Sequence, residues 1–177
     1  MGIVRTLLGK DTTTDVVELL TAQHTEVDEL FARIEEYGSD AQAAFMELAN
    51  KLAAHAAVEE QLFYPAVMAK DTNDQLQEAV EEHLAIKRVL ADMLTLRVGE
   101  PSFKAKLSVI KEEVTHHAHR EEEAKLFPKV HAMMNRDERA ALGNEVLAKF
   151  EELMQAQPAN NVPRETKTAA SLPTSRR

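Results

Sequence analysis

Four stretches of this chain carry apolar residues in steps of three and four, and a histidine interrupts each stripe near its middle. Such steps put residues on one face of an α-helix, so each stripe is a core-facing surface and each histidine is held within that core. The first stripe reads Val17, Leu20, His24, Val27, Phe31, Ile34, and the second Phe45, Leu48, Leu52, His55, Glu59, Leu62, Ala66. The third reads Leu76, Ala79, His83, Ile86, Leu90, Met93, and the fourth Phe103, Leu107, Ile110, Val114, His117, Glu121, Ala124. A chain with this pattern buries four imidazoles, and two stripes add a glutamate one turn later.

Punctuation divides the chain into five helices. The first runs from about Asp15 to Tyr37 and stops at Gly38. Ser39 with Gln42, and Thr72 with Gln75, have the spacing of capping boxes that open the second and third helices. Pro101 starts a fourth that continues to about Met134, and Asn135 with Glu138 caps a fifth that ends before Pro158. No stretch alternates as a strand would. Long helices joined by short connections predict an all-α, antiparallel up-down-up-down four-helix bundle with an additional C-terminal helix.

The ends read differently. Residues 1–14 are expected to be a flexible leader, residues 15–156 the bundle plus its fifth helix, and residues 157–177 a disordered basic tail. MGIVRT also fits a short N-myristoylation pattern. No apolar run is long enough for a membrane span, and no secretory signal opens the sequence, so cytoplasm is the default expectation. The absence of Cys excludes disulfides, thiolate nucleophiles and iron–sulfur clusters, and the net charge of −9 disfavours nucleic acid as a partner.

One buried histidine is ordinary when its ring is hydrogen-bonded. Four at similar depth with two glutamates are not, because each unpaired buried carboxylate costs several kcal/mol. No Lys or Arg lies on the stripes beside these positions. A divalent or trivalent cation supplies the missing charge, and His with Glu are its natural ligands. Four nitrogens and two carboxylates, which can bridge, suit two metals better than one.

The pattern is also duplicated. His55 to Pro65 reads HAAVEEQLFYP, and His117 to Pro128 reads HAHREEEAKLFP. His24 to His83 is 59 residues, and His55 to His117 and Glu59 to Glu121 are each 62. Pro65 to Pro128 is 63, a slip of one residue. That slip leaves the fourth helix ambiguous. Helical phase favours His117 with Glu121, His119 with Glu123 has the same spacing, and a π-bulge would absorb the extra residue and pair His117 with Glu122. Tyr64 reads first as packing under its loop, with reach to the metal or gating of access as the alternative. Glu60, Glu122 and Glu123 read as solvated, or as partners that orient ligands.

The ordered set His, His-x-x-x-Glu, His, His-x-x-x-Glu, with L-F-Y-P and L-F-P after the pairs and R-x-A-L-G in the fifth helix, resembles the hemerythrin-like (HHE cation-binding) domain family. The resemblance covers roughly residues 15–155 and implies two iron ions (Fe2+/Fe3+), carboxylate-bridged and oxo- or hydroxo-bridged. His24, His55, His83 and His117 would be terminal ligands, with Glu59 and Glu121 as bridges. The donor set would also accept Mn or Zn. The implied small ligands are dioxygen, peroxide or nitric oxide, bound, sensed or turned over at an open coordination position. Oxygen carriers of this type have a further histidine one turn after the third-helix histidine, where this chain has Lys87. Two other readings are a metal-free helical interaction module and a cargo protein of an encapsulin shell, the latter because the ending SLPTSRR faintly resembles a cargo peptide.

Overall fold

The computed structural model describes residues 14–173. Among them are helices and connecting turns, and no strand. The order is α1 (Val16–Glu35), α2 (Ala41–Val58), a π-helical segment (Glu59–Phe63), α3 (Tyr64–Ala66), α4 (Asn73–Met93) and α5 (Pro101–Thr115). A second π-helical segment (His116–Leu126), α6 (Phe127–Met133), α7 (Arg136–Gln155) and a 3-10 helix (Pro158–Arg164) complete it. α1 lies against α2, and α4 against α5. No helix among the described residues is long and apolar enough to cross a membrane.

The buried apolar side chains fall into two clusters. One holds Val27, Phe31, Phe45, Leu48, Leu90, Phe103 and Ile110, and the other Leu20, Val58, Phe63, Leu76, Val130 and Val146. Successive long helices pass through the two clusters in alternating order, and the four stripe histidines fall where each helix crosses from one to the other. The polar layer expected from the stripes is thus a partition within a continuous bundle.

Helix ends follow local chemistry only in part. The Asn135 side chain accepts from the backbone N–H of Asp137 and Glu138, and Glu138 reaches back to the Asn135 N–H, as a capping box does. The other two expected boxes do not form. Asp40 and Thr72 are the N-caps of α2 and α4, and neither side chain caps. The Thr72 hydroxyl instead donates to the carbonyls of Val67 and Ala69 and accepts from the Ala69 N–H, which ties the preceding turn together. The left-handed residue after α1 is Tyr37, one before the expected Gly38.

α7 fixes the start of α1. Arg139 donates through Nε to Asp15 Oδ2 at 2.7 Å and through Nη1 to the Met134 carbonyl, while Asp15 itself caps α1 by accepting from Val17. Four residues on, Gly143 lets the chain entering α1 press against α7, for a Cβ there would sit 1.8 Å from the Thr14 carbonyl oxygen. These residues of the R-x-A-L-G run therefore set the register of the helix that carries His24.

The expected disordered tail is a correction. Residues 158–164 form a 3-10 helix whose Ala159 and Val162 are buried in the first apolar cluster against α2 and α4. The spacing of three aligns both side chains on one seam of a 3-10 turn. Further on, Arg88 donates to the carbonyls of Thr166 and Lys167, and Ala169, Ala170 and Leu172 pack against the second cluster. The region looked solvated because its apolar residues are few and small, yet they are the ones that reach the seam. Most of the leader, with the myristoylation pattern, and the last four residues of the expected cargo peptide lie outside the described residues.

Replacing a mid-helix Gly by Ala ordinarily gains up to about 1 kcal/mol. At Gly143 the clash with backbone reverses the sign, and Gly143→Ala is expected to lose about 2 kcal/mol or more. Urea denaturation reads this as a lower midpoint at unchanged slope, and a raised midpoint would show that α1 and α7 are not in this contact.

Candidate metal centre

The polar layer gathers six donors in two groups. His24, His55, Glu59 and Glu122 form one, and Glu59, His83 and His117 the other, with one donor atom from each residue lying within 4.8 Å of the rest of its group. Glu59 belongs to both. Its Oε1 lies 3.1 Å from His55 Nε2, and its Oε2 lies 3.1 Å from His83 Nε2. Glu122 Oε2 lies 3.2 Å from His24 Nε2 and 3.7 Å from His117 Nε2. Each carboxylate therefore reaches both halves of the cluster.

The expected bridge Glu121 is not among these residues. Its carboxylate turns outward to Lys125 at 2.6 Å and lies 3.5 Å from His116, while Glu122 is 1% exposed within the cluster. The cause is the π-helical stretch. Hydrogen bonds from residue i to i+5 widen each turn by one residue, so His117 shares a face with Glu122 rather than Glu121. The alternative pair His119 and Glu123 also lies outside the donor groups. His119 sits between exposed Asp28 and Glu123, at 2.9 and 3.0 Å. The first π-helical segment has a matching consequence. His55 and Glu59 keep α spacing, but the next step of five brings in Tyr64.

Tyr64 corrects a second expectation. Its side chain is fully buried, and its hydroxyl donates to Glu122 Oε1 at 2.9 Å and Glu59 Oε2 at 3.2 Å. Its ring stacks on His83 at 5.6 Å. Phe127, the corresponding residue of the second repeat, stacks on His24 at 5.9 Å and carries no hydroxyl. The duplication is thus symmetric in shape and asymmetric in chemistry.

The Nδ1 atoms of the histidines are held in a ring. Gln23 of α1 accepts from His55 at 2.7 Å, and Glu60 of the first π-helical segment accepts from His83 at 3.0 Å. Glu82 of α4 accepts from His117 at 2.7 Å, and Glu123 of the second π-helical segment accepts from His24 at 2.7 Å. Each helical run therefore orients the histidine of the next, and the last orients the first. With Nδ1–H committed outward, every Nε2 turns inward. Glu60 and Glu123 fill the orienting role the sequence suggested, whereas Glu122 is a cluster member. Sequence reasoning missed Gln23 and Glu82. A usable signal existed, because every orienting residue stands next in sequence to a cluster residue of its own helix.

Fit to a metal can be judged from the donors. Ligands about 2.0–2.2 Å from one ion stand about 3.0–3.5 Å apart, and the contacts of 3.1–3.2 Å above fall in that range. Glu59 Oε1 and Glu122 Oε2 are buried without a hydrogen-bond partner, and among the described residues no lysine or arginine contacts either carboxylate. The residues present fit cations.

Protonation shows the same demand for positive charge. Burial alone would lower the pKa of His24, but the close Glu122 carboxylate and the hydrogen bond to Glu123 outweigh it and raise it from 6.5 to about 9. Burial and the neighbouring His117 oppose the charge on His83, yet Glu59 and Glu60 raise its pKa. His117 goes well above the ordinary value because Glu122, Glu59 and Glu82 overcome burial. Glu59 falls well below its usual range, as the close approach of His55, His117 and His83 overcomes its burial. Protons stand in where cations would.

Beside the cluster lies an apolar cavity of about 30 Å³, walled by Val27, Leu52, Ile86, Leu90 and Val114 and by the four histidines. The stem of Lys87 joins this wall. Its ammonium turns away to Glu60, at 3.0 Å from Oε2, and so does not stand in for a further histidine.

These features define a class: a helical bundle with a buried His/Glu centre able to hold cations. Residues 15–130 match the family model described as hemerythrin HHE cation binding domain, and the chain belongs to that family. A crystal structure of an HHE cation-binding domain protein from Mycobacterium kansasii, a homolog of Rv2633c, shares the fold. Its TM-score is 0.73 at 23% identity, over 85% of this chain and 98% of that one. A DNA nickase of Nostoc is 27% identical over 115 residues, which are 64% of this chain and 32% of the relative. The match thus spans about a third of that protein's length.

A cation held by these nitrogens would have to displace their protons, which gives a signed prediction. The raised His24 pKa contributes stability to the metal-free protein that is fully present below about 6.5 and is lost as pH rises through about 9. Metal affinity should climb over that same window, by about tenfold per pH unit for each proton displaced. Calorimetric titration in two buffers of different ionisation enthalpy measures the protons released, and a flat profile would show that His24 is not displaced.

Proposed function

We propose that the chain is a non-haem di-iron protein of the hemerythrin-like type that admits a small uncharged molecule, dioxygen, nitric oxide or hydrogen peroxide, to the metal centre. The observation that carries this reading is the apolar cavity whose wall includes all four histidine rings. A space of about 30 Å³ exceeds the roughly 10–15 Å³ that one water needs, and its walls favour a neutral diatomic over an ion.

His24 and His55 would hold one iron and His83 and His117 the other, with Glu59 and Glu122 shared between them. When bound, the two irons supply Lewis acidity and two redox equivalents. The protein's part is orientation and exclusion. The outward Nδ1 partners fix the rings, and the apolar clusters on either side keep bulk water from the layer. Tyr64 acts on the carboxylates. Burial and the charges of Glu122 and Glu59 push its pKa well above 10.0, so it keeps its proton at neutral pH and donates to both glutamates. Its hydroxyl occupies one oxygen of Glu122 and leaves the other, Oε2, turned to the histidines.

Iron rather than Mn or Zn is part of the proposal, in keeping with the family resemblance; the donors themselves accept all three. DNA nicking does not carry over from the Nostoc relative. Only a third of that protein is matched, and a net charge of −9 opposes association with a phosphate backbone. A cytoplasmic setting is proposed on the same footing.

Full-length protein produced with added iron tests the reading through metal analysis and absorption spectra. Reduced protein is then exposed separately to dioxygen, hydrogen peroxide and nitric oxide. About two irons per chain and a spectral change with at least one of the three are expected. Glu122→Gln should lower the iron content, whereas Glu121→Gln should leave it unchanged. Metal-free protein that keeps its helices would instead favour the helical interaction module.

A further inference from the structure

The C-terminal segment reaches the machinery of the centre through Glu165. Lys87 follows His83 by one turn on α4 and is buried among the cavity walls. Its Nζ donates to Glu60 Oε1 at 3.1 Å and Oε2 at 3.0 Å, and lies 3.3 Å from Glu165 Oε2. The same Glu60 Oε1 accepts from His83 Nδ1 at 3.0 Å. Glu165 ends up there because its backbone is pinned on both sides. Ala159 N–H donates to Asn50 upstream, and Arg88 holds the Thr166 and Lys167 carbonyls downstream.

We propose that Lys87 and Glu165 are positioning residues of the metal centre, through which the C-terminal segment fixes the His83 ring for its metal. This rests on the two-metal reading above. Of the four orienting groups, Glu60 is the one that contacts a lysine among the described residues. A carboxylate gripped on both oxygens is held against rotation away from His83, and a buried ammonium is held more firmly by two carboxylates than by one. Glu165 supplies the second. Removing a partner behind a ligating histidine typically weakens metal binding about 10–100-fold, and coupling of this kind is reciprocal, so metal binding must also tighten the segment.

The test uses metal-free full-length protein titrated anaerobically with Fe2+, with His24→Ala and His83→Ala assigning the two binding steps. Lys87→Met, which loosens Glu60 rather than removing it, should weaken the His83 step several-fold, less than the roughly 10–100-fold that loss of the partner itself brings, and leave the His24 step unchanged. Glu165→Gln, an exposed and conservative change, should act in the same direction by a smaller factor, and Lys87→Arg should restore most of the loss. Hydrogen exchange at residues 159–167 should slow on iron loading in the unaltered chain and not in Glu165→Gln. Equal weakening of both steps would reduce Lys87 to a structural role and overturn the proposal. So would unchanged affinities in both variants, or exchange indifferent to iron. Failure of the unaltered chain to bind iron would remove the two-metal reading itself, a result distinct from these.

Discussion

Two carboxylates buried in one apolar core, without a lysine or arginine against them among the described residues, are the constraint on which this structure turns. Glu59 is fully buried and Glu122 is 1% exposed, and each leaves an oxygen without a hydrogen-bond partner. Taking such groups out of water costs several kcal/mol apiece unless charge is returned to them. Raised proton affinity at His24, His83 and His117 returns part of it, and a pair of cations would return it more completely. The two apolar clusters make the demand severe, because they flank the polar layer and exclude the solvent that would otherwise screen it. Stability and metal binding are therefore one problem in this bundle, in the sense that whatever neutralises the layer also supports the fold.

The π-helical segments solve a problem of register. A single α-helix would carry His117, Glu121 and their successors along one face, and the chain has one residue too many between His117 and Pro128 to match His55 and Pro65. Widening the turns puts Glu122 and then Phe127 where Glu59 and Tyr64 stand in the first repeat. The insertion is thereby absorbed before it can displace α6 or the second apolar cluster. Departure from α geometry carries an energetic penalty, which the buried donors justify only as a group.

Much of this was legible in the sequence because the hydrophobic period is a direct record of burial. The four stripes locate the four histidines and Glu59 at the centre, and the duplicated repeats announce that two half-sites face one another. Helical phase alone favours Glu121, and Glu122 emerges only from the π-bulge alternative, because phase presumes α geometry through a stretch that is π-helical. The one-residue slip between Pro65 and Pro128 was the available warning. Tyr64 was underread for the same reason, for a step of five after Glu59 is invisible to a search in steps of three and four. The C-terminal segment was misjudged on composition. Ala159 and Val162 are too few to show a period, and their burial depends on a seam between α2 and α4 that only the assembled bundle provides.

The ring of orienting residues explains why the site belongs to the bundle as a whole. Gln23, Glu60, Glu82 and Glu123 each stand beside a cluster residue on one helical run and hold the histidine of another. Moving any one helix disturbs two histidines, its own and the one it orients. The ring is nonetheless uneven. His55 is held by a neutral amide, His24 and His117 by carboxylates that also face other histidines, and His83 by a carboxylate fastened to a lysine. Tyr64 sits on the His83 side and Phe127 on the His24 side. A centre built from a repeated sequence thus presents two unequal halves, with different proton donors and different nearby charge, to one shared cavity.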